Sequence, residues 1–313
     1  MKQRFNTHKH TLYGIAAILL WGSLMALTRR VAEEFSPIGG AALIYTASTL
    51  FLLFTMGLPK LKPGSSRYLL IGGALFVSYE ICLALALGMA NDRLQAIEMS
   101  VINYLWPALT VLIAVLLSKR SVSFWVYPSV GLAFLGVAWT IIAEQGISLA
   151  DFTGRISSNP AVYTMAFIGA FIWAIYCNVT QRLAQGQNAI VLFFAATAST
   201  LWVQYLLSDE PSLSYSWSNV STLLLTGVVM GSGYALWNVA ILRGNMLLLA
   251  TISYFTPVIS TLFSSLILGV VLGISFWQGV VMVTVGSLIC WWVTRQPHSI
   301  SETTAESLPS KQG

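Results

Sequence analysis

The segment WGSLMALTRRVA at residues 21–32 has a counterpart 152 residues later, WAIYCNVTQRLA at residues 173–184. Both segments carry a tryptophan, a threonine, an arginine and an alanine at matching positions. Chance matches of Leu, Ala or Val are common between apolar segments, whereas rarer residues seldom match in the same order. The chain is therefore predicted to contain an internal repeat.

The repeat continues beyond this pair of segments. At the same offset of 152 residues, Phe124, Trp125 and Trp139 match Phe276, Trp277 and Trp291. At an offset of 150 residues, Tyr104 and Pro107 match Tyr254 and Pro257. The duplication thus extends over most of the chain.

Ten stretches are long and apolar enough to cross a bilayer as helices. They are predicted at residues 12–31, 38–57, 68–90, 95–117, 124–143, 161–183, 189–207, 220–242, 246–272 and 276–294. Continuously apolar runs such as residues 16–20 favour helices over the alternating strands of a membrane β-barrel. The predicted fold class is an all-α integral membrane protein.

Five spans fall in each repeat, and because five is odd the second repeat must enter the membrane in the opposite direction. The prediction is ten transmembrane helices arranged as two inverted five-helix repeats, at residues 1–152 and 153–295. Residues 296–313, rich in Ser, Thr, Glu and Pro, are predicted to form a disordered cytoplasmic tail. Inverted repeats are typical of secondary transporters, which bind their cargo near the membrane midplane.

Positive residues indicate the orientation, because loops rich in Lys and Arg stay in the cytoplasm. With the N-terminus inside, twelve Lys and Arg residues fall on the cytoplasmic side and four fall outside: Arg29, Arg30, Arg93 and Arg155. An even number of spans then places both termini in the cytoplasm.

Composition excludes several classes of function. The chain is 56% hydrophobic and 9% charged, against about 25% charged in soluble domains, so a soluble fold is excluded. The net charge of +5 is spread over short loops, which argues against nucleic acid as a partner. Cys82, Cys177 and Cys290 lie inside apolar runs and are interpreted as small buried hydrophobic residues.

Enzymatic chemistry is also disfavoured. The three histidines, His8, His10 and His298, lie at the polar ends of the chain, so no histidine is available inside the membrane for catalysis or metal binding. No phosphate-binding loop of the Walker type occurs, so the chain is not expected to hydrolyse ATP. We expect no enzyme activity, no metal and no cofactor.

Glu80 lies near the centre of the third span, where an ionised carboxylate costs about 2.5 to 3.5 kcal/mol. We therefore expect it to face a cavity. No Lys or Arg occurs at a matching depth, so Glu80 is protonated, hydrogen-bonded by Tyr or Asn, or available to a ligand cation. It either binds a substrate ammonium or carries a coupling proton, or else it is a neutral acid between helices. Glu98 is expected to pair with Arg93 at the outer rim.

Aromatic and polar residues recur at three- or four-residue spacing, which places them on single helix faces. We predict that they line a substrate cavity: Trp21, Tyr79, Glu80, Asn103, Tyr104, Trp173, Tyr176, Tyr234, Asn238 and Tyr254. Pro107 and Pro257 are predicted to kink their helices and to free the carbonyls four residues earlier. The alternative is that these aromatic rings pack between helices or lie in interfacial belts. Two glycine pairs, Gly227 with Gly231 and Gly269 with Gly273, predict close helix contacts.

Several runs carry a family resemblance: FVSYEIC at 76–82, QAIE at 95–98, NYLWP at 103–107, and residues 166–174, 237–238, 253–258 and 276–279. With these runs the chain resembles the bacterial aromatic amino acid exporters of the drug/metabolite transporter superfamily, which has two EamA-type halves. The resemblance extends from the first span to Arg295. It implies an inverted five-plus-five arrangement, residence in the bacterial inner membrane, and export of aromatic and other neutral amino acids.

These observations together predict a secondary transporter that exports amino acids by alternating access. Aromatic walls would contact the substrate side chain, Asn and Tyr groups the carboxylate, and Glu80 the ammonium or a proton. Its expected partners are amino acids and membrane lipid, and a monomer is compatible with the sequence. Two alternatives stay open: an exporter of drugs, amines or other metabolites, and a channel or integral membrane enzyme.

Overall fold

The computed structural model of the chain describes residues 2–59, 66–117, 124–142, 149–184, 187–243 and 253–294. Within these ranges every regular element is a helix and no strand occurs. The predicted tail at 296–313 lies outside them.

Twelve helices follow in order along the described ranges. They are α1 (Lys2–Glu34), α2 (Pro37–Met56), α3 (Gly73–Gly88, preceded by a π-helical segment, Tyr68–Gly72), α4 (Arg93–Asn103), α5 (Trp106–Leu117), α6 (Val126–Ile142), α7 (Leu149–Ser158), α8 (Pro160–Leu183), α9 (Ile190–Leu206), α10 (Trp217–Arg243), α11 (Thr256–Leu268) and α12 (Ile274–Thr294).

Seven of the predicted spans coincide with helical stretches that are long and apolar enough to cross a membrane. These stretches are His10–Glu34, Pro37–Met56, Tyr68–Gly88, Arg93–Ala114, Pro160–Thr180, Trp217–Trp237 and Ile274–Val293. The other three predicted spans coincide with shorter apolar helices, Val126–Ile141, Ile190–Leu206 and Thr256–Leu268. The chain is an all-helical protein with seven candidate membrane spans in its described part.

Local sequence explains where several helices begin. Pro37 and Pro160 occupy the first position of α2 and α8, where the missing proline N–H has no helical partner to lose. Asp92 caps α4, since its carboxylate accepts a hydrogen bond from the Gln95 amide at 2.6 Å. The Gln95 side chain in turn accepts from the Asn91 amide at 2.7 Å, which completes a reciprocal cap.

The fourth span is interrupted rather than continuous. The chain leaves the helix at Tyr104 and Leu105, just before Pro107, and resumes as α5. In the matching position of the second half, Tyr254 and Phe255 form a turn before Pro257, and α11 follows. A proline ring excludes the regular helical hydrogen bond to the residue four positions earlier. The short helix α7 lies between the fifth and sixth predicted spans, where no helix was predicted from the sequence.

Glycines set the closest helix contacts. Gly227 and Gly231 face Ala47 and Phe51 of α2, as their spacing predicts. The same expectation for Gly269 is wrong: this residue ends α11 in a left-handed conformation, with φ of 67°, and a Cβ there would meet nothing within 4 Å. The tightest crossing joins α6 to α12, where a Cβ on Gly136 would lie 2.7 Å from the Gly279 carbonyl oxygen.

The crossing of α6 and α12 leads to a prediction about stability. Replacing Gly136 with valine forces the two helices apart, and overpacking of this kind costs about 1 to 3 kcal/mol. The matched control is Gly131→Val, because Gly131 lies on the same helix with nothing within 4 Å of its missing side chain. Thermal unfolding of the purified protein in detergent should show a lower midpoint for Gly136→Val alone. Equal midpoints for the two variants would contradict the close crossing.

Candidate functional site

A cavity lies between α1, α2, α3, the α4–α5 break, α8, α10 and the start of α11. Its volume is about 110 Å³, several times the space that one water molecule needs. Its walls are mostly aromatic and aliphatic, with a small number of polar groups, as is usual for small-molecule sites. The lining residues are Trp21, Leu24, Met25, Thr28, Tyr45, Tyr79, Glu80, Leu83, Ala84, Leu87, Asn103, Tyr104, Trp106, Trp173, Met230, Tyr234, Trp237, Ser253 and Thr256.

The structure brings seven of the ten predicted site residues together around this cavity. They are Trp21, Tyr79, Glu80, Asn103, Tyr104, Trp173 and Tyr234. Tyr176 lies just behind the lining, with its ring stacked on that of Trp173 at a centroid distance of 4.9 Å. Tyr254 is half-buried, with its ring centroid 6.0 Å from that of Trp291. The side chain of Asn238 lies outside the described residues.

Glu80 is buried, and each of its carboxylate oxygens accepts a hydrogen bond from a tyrosine. The Tyr45 hydroxyl donates to Oε2 at 2.5 Å, and the Tyr234 hydroxyl donates to Oε1 at 2.7 Å. Tyrosine donors were one of the three possibilities that the sequence left open. The two donors come from α2 and α10, so a single carboxylate on α3 joins three helices.

Tyr45 is the main residue that sequence reasoning missed. It lies in the middle of the second span, at about the depth of Glu80, and its hydroxyl is the kind of group that a buried acid requires. This was the available signal, but Tyr45 is the only tyrosine of the second span, which contains no tryptophan. Thr28, Trp106 and Trp237 also line the cavity without having been predicted as site residues.

Aromatic rings pack edge to face or at a tilt around the cavity. The Tyr79 and Trp173 centroids are 4.4 Å apart, and Trp21 lies 5.1 Å from Trp237. Gly233 makes room for the indole of Trp21, because a Cβ there would lie 2.8 Å from the indole nitrogen Nε1. Such walls suit a flat aromatic group or a cation.

Three polar atoms of the lining have no hydrogen-bond partner within the described part of the chain. They are the indole Nε1 of Trp21, the amide Oδ1 of Asn103 and the hydroxyl of Tyr104, all three buried. A buried polar group without a partner costs about 1 to 3 kcal/mol, so such atoms call for a ligand or water. The cavity therefore offers an indole donor, an amide acceptor and a hydroxyl to a small polar ligand.

The predicted ion pair between Glu98 and Arg93 is wrong. Glu98 is buried and pairs with Arg155 of α7 at 3.2 Å, and it also accepts a hydrogen bond from the Tyr163 hydroxyl. Arg93 instead binds Glu33 of α1 at 2.8 Å. The physical reason is helix geometry: at about 100° per residue, five residues place Glu98 roughly 140° around α4 from Arg93. Burial lowers the pKa of Arg155, but the carboxylates of Glu98 and Asp92 raise it by more, so the guanidinium stays charged.

The model of the EamA-like transporter family matches residues 9–142 and again residues 161–292. The chain belongs to this family. Two curated EamA relatives are named aromatic amino acid exporter YddG. The one from Salmonella typhimurium is 46% identical over 93% of this chain and 99% of its own length. The one from Escherichia coli is 45% identical over 92% of this chain and 98% of its own length.

Two more distant proteins are also similar to this chain. A protein of the same name from Ancylobacter novellus is 28% identical over 80% of this chain and 86% of its own length. A solved crystal structure, 23% identical, superposes with a TM-score of 0.63 over 93% of this chain and all of its own. That likeness supports the fold. As a member of a transporter family with apolar helices of spanning length, the chain is a multi-pass membrane protein.

The tyrosine pair on Glu80 leads to a prediction about stability. Tyr45→Phe removes a donor from a buried carboxylate and should lower stability by about 1 to 3 kcal/mol. Tyr104→Phe is the matched control, because that hydroxyl is similarly buried but lies beside the neutral Ser260 hydroxyl rather than a carboxylate. Thermal unfolding in detergent, without added amino acids, should separate the two variants. A larger loss for Tyr104→Phe would contradict the assigned hydrogen bonds.

Proposed function

We propose that the protein is a secondary transporter that exports aromatic and other neutral amino acids across the bacterial inner membrane by alternating access. The observation that carries the proposal is the aromatic cavity around a buried carboxylate, in an EamA chain 45 to 46% identical to two proteins named aromatic amino acid exporters. Flux would follow the substrate or ion gradients.

The proposed architecture is ten transmembrane helices in two inverted repeats, residues 1–152 and 153–295. Two separate matches to the family model support two units. Helix packing supports their equivalence. In the proposed repeat, helices of the first half correspond in order to helices of the second: α1 to α8, α2 to α9, α3 to α10, α4–α5 to α11, and α6 to α12. The contact of α1 with α10 should then have an equivalent between α8 and α3, and both contacts occur. The contacts of α2 with α10 and of α9 with α3 form a second such pair.

We place both termini in the cytoplasm, on the basis of the twelve positive residues on that side against four on the other. In this orientation the ends of α1, α3 and α11 and the beginnings of α2, α4 and α12 lie at the outer surface. The cavity then lies near the midplane, between the two halves, as in other transporters built from inverted repeats.

The cavity chemistry fits a zwitterion with an aromatic side chain. The rings of Trp21, Tyr79 and Trp173 would contact the side chain, and the amide of Asn103 and the hydroxyl of Tyr104 would bind the carboxylate. Asn103 would bind the carboxylate through Nδ2, which here donates to the Tyr79 hydroxyl at 3.4 Å, because its partnerless Oδ1 can only accept. Glu80 would receive the substrate ammonium or carry a coupling proton.

Counterflow tests the proposal directly. Purified protein is reconstituted into liposomes that contain unlabelled amino acid, and labelled phenylalanine, tryptophan, methionine or threonine is added outside. We expect saturable accumulation above empty liposomes, greatest for the aromatic substrates. No accumulation with any of the four, in protein shown to be folded, would reject amino acid export and favour an exporter of drugs, amines or other metabolites. Rapid flux that does not saturate would indicate a pore.

Glu80→Gln should lower the counterflow rate about tenfold or more, because the amide keeps the size of the side chain but loses its negative charge. A thermal midpoint and gel-filtration profile like those of the unmodified protein would show that folding is retained. Full activity in the variant would remove the charge of Glu80 from the mechanism.

Tyr104→Phe should weaken apparent amino acid affinity about tenfold or more, since a hydrogen bond to the charged substrate carboxylate, worth about 1.5 to 3 kcal/mol, is lost. Tyr254→Phe is the matched control, because Tyr254 was predicted in the site but lies outside the lining. Inhibition of counterflow by unlabelled phenylalanine measures both variants. Equal affinity in the two would show that the Tyr104 hydroxyl does not contact the substrate.

A further inference from the structure

Three charged residues form a cluster where α1 ends and α4 begins. Glu33 accepts from Arg29 Nε at 2.9 Å through Oε1 and from Arg93 Nη2 at 2.8 Å through Oε2. We call Arg29, Glu33 and Arg93 the outer cluster, in the orientation proposed above. One carboxylate thus holds two arginines, and Arg29 is itself buried.

Both arginines of the outer cluster also bind the carboxyl ends of neighbouring helices. Arg29 Nη1 donates to the carbonyls that end α3, including that of Ala90 at 2.7 Å. Arg93 Nη1 donates to the Leu268 carbonyl at the end of α11, at 2.8 Å. A positive charge is favourable at a helix carboxyl end. The cluster therefore ties α1, α3 and α4 of the first family match to α11 of the second.

A line of hydroxyl groups runs along α11 from the cavity toward the outer cluster. Thr256 lines the cavity, and Ser260 and Ser264 follow at four-residue intervals on the same face. The next position on this face is Leu268, whose carbonyl binds Arg93. Ser260 is 0% and Ser264 1% exposed.

The hydroxyls of Ser260 and Ser264 have no hydrogen-bond partner among the described residues. Buried serine and threonine side chains in helices commonly bond the carbonyl four residues earlier. Ser48 and Thr197 do so here, at 2.8 and 2.9 Å. Ser260 and Ser264 do not make this hydrogen bond to the carbonyl four residues earlier. Both side chains are buried, so water and lipid headgroups are not expected to replace it in this state. In this state the two hydroxyls are therefore buried without a hydrogen bond of normal geometry among the described residues, and the Ser260 hydroxyl lies beside the Tyr104 hydroxyl.

Helices α1 and α4 form the other walls along this line. Gly22 of α1 faces the Ile259 side chain and, next to it, the Ser260 backbone, and the Tyr104 side chain, at the inner end of α4, lies beside the Ser260 side chain. Farther out, Glu33 of α1 and Arg93 of α4 meet at the end of α11. The helices α1, α4 and α11 thus converge over some 12 to 17 Å, by a rise of about 1.5 Å per residue, between the cavity and the outer cluster.

We infer that the substrate leaves the cavity along the Ser260 and Ser264 face of α11, and that the outer cluster closes this route. When α11 moves away from α1 and α4, the Arg93 bond to Leu268 breaks and the two hydroxyls become a polar lining for water and substrate. When the bond forms again, the hydroxyls are packed away. The direction of transport and the cargo rest on the proposed function, whereas the route and its closure do not.

Thiol labelling from outside the cell tests the route. Ser264→Cys is made in a background in which Cys82, Cys177 and Cys290 are alanine, and a membrane-impermeant thiol reagent is added to intact cells. The matched control is Ser287→Cys on α12, because Ser287 is equally buried and also lacks a partner but lies on a helix that packs on α6. Labelling is expected at position 264 and not at position 287.

The outer cluster is tested in the same background. Arg93→Ala should raise the labelling rate of Ser264→Cys about tenfold, because a hydrogen bond from a charged group no longer holds α11. Arg93→Lys should restore part of the protection. Arg30→Ala should leave the rate unchanged, because Arg30 pairs with Glu34 of the same helix, at 3.7 Å.

Folding is checked by the counterflow activity and thermal midpoint of each variant. If Ser264→Cys in folded protein is labelled no faster than Ser287→Cys from either side of the membrane, with or without Arg93, the route is wrong. If labelling depends on Arg93 but no amino acid shows counterflow, the route and its closure stand and the cargo of the proposed function is wrong. Counterflow without any labelling at position 264 would mean that the substrate leaves by another path.

Discussion

A carboxylate in the middle of a membrane helix has to be satisfied within the protein, because lipid offers it neither water nor counter-ion. Glu80 meets this requirement through the hydroxyls of Tyr45 and Tyr234, one on each side of the cavity. These two hydrogen bonds hold α2 and α10 against α3 at the depth of the aromatic rings that line the cavity. The cavity lies at this contact, because Tyr45, Glu80 and Tyr234 are all among its lining residues.

Polar groups elsewhere in the bundle also need partners within the protein. Many of them have one, whereas some buried atoms have none among the described residues. Charged residues form ion pairs, in which Glu98 pairs with Arg155 and Glu33 with two arginines. Glu210 likewise accepts from the first amides of α2. The partnerless atoms Asn103 Oδ1 and the Tyr104, Ser260 and Ser264 hydroxyls extend from the cavity along α11. Among the described residues these four atoms follow one path, whereas other buried polar atoms without a partner, such as the Ser287 hydroxyl on α12, lie elsewhere.

Much of the helical framework was predictable, because a spanning helix needs about 20 apolar residues and the sequence shows such stretches plainly. The aromatic residues of the cavity were also accessible, since helical spacing reveals which residues share a face. The partners of charged residues could not be predicted in this way. Arg93 and Glu98 are near in sequence and looked like a pair, yet they point to different sides of α4, and Arg93 binds Glu33 from 60 residues away.

The sequence by itself determined that the chain is helical, lies in a membrane and carries an acid within an aromatic and polar set of residues. It did so because hydrophobic length and periodicity are local properties of a helix. Only the tertiary structure decided which faces meet. Tyr45 lies 35 residues from Glu80 and Tyr234 lies 154 residues from it, and no local pattern links them. Periodicity gives the direction of a side chain around its own helix, whereas its partner depends on how separate helices pack.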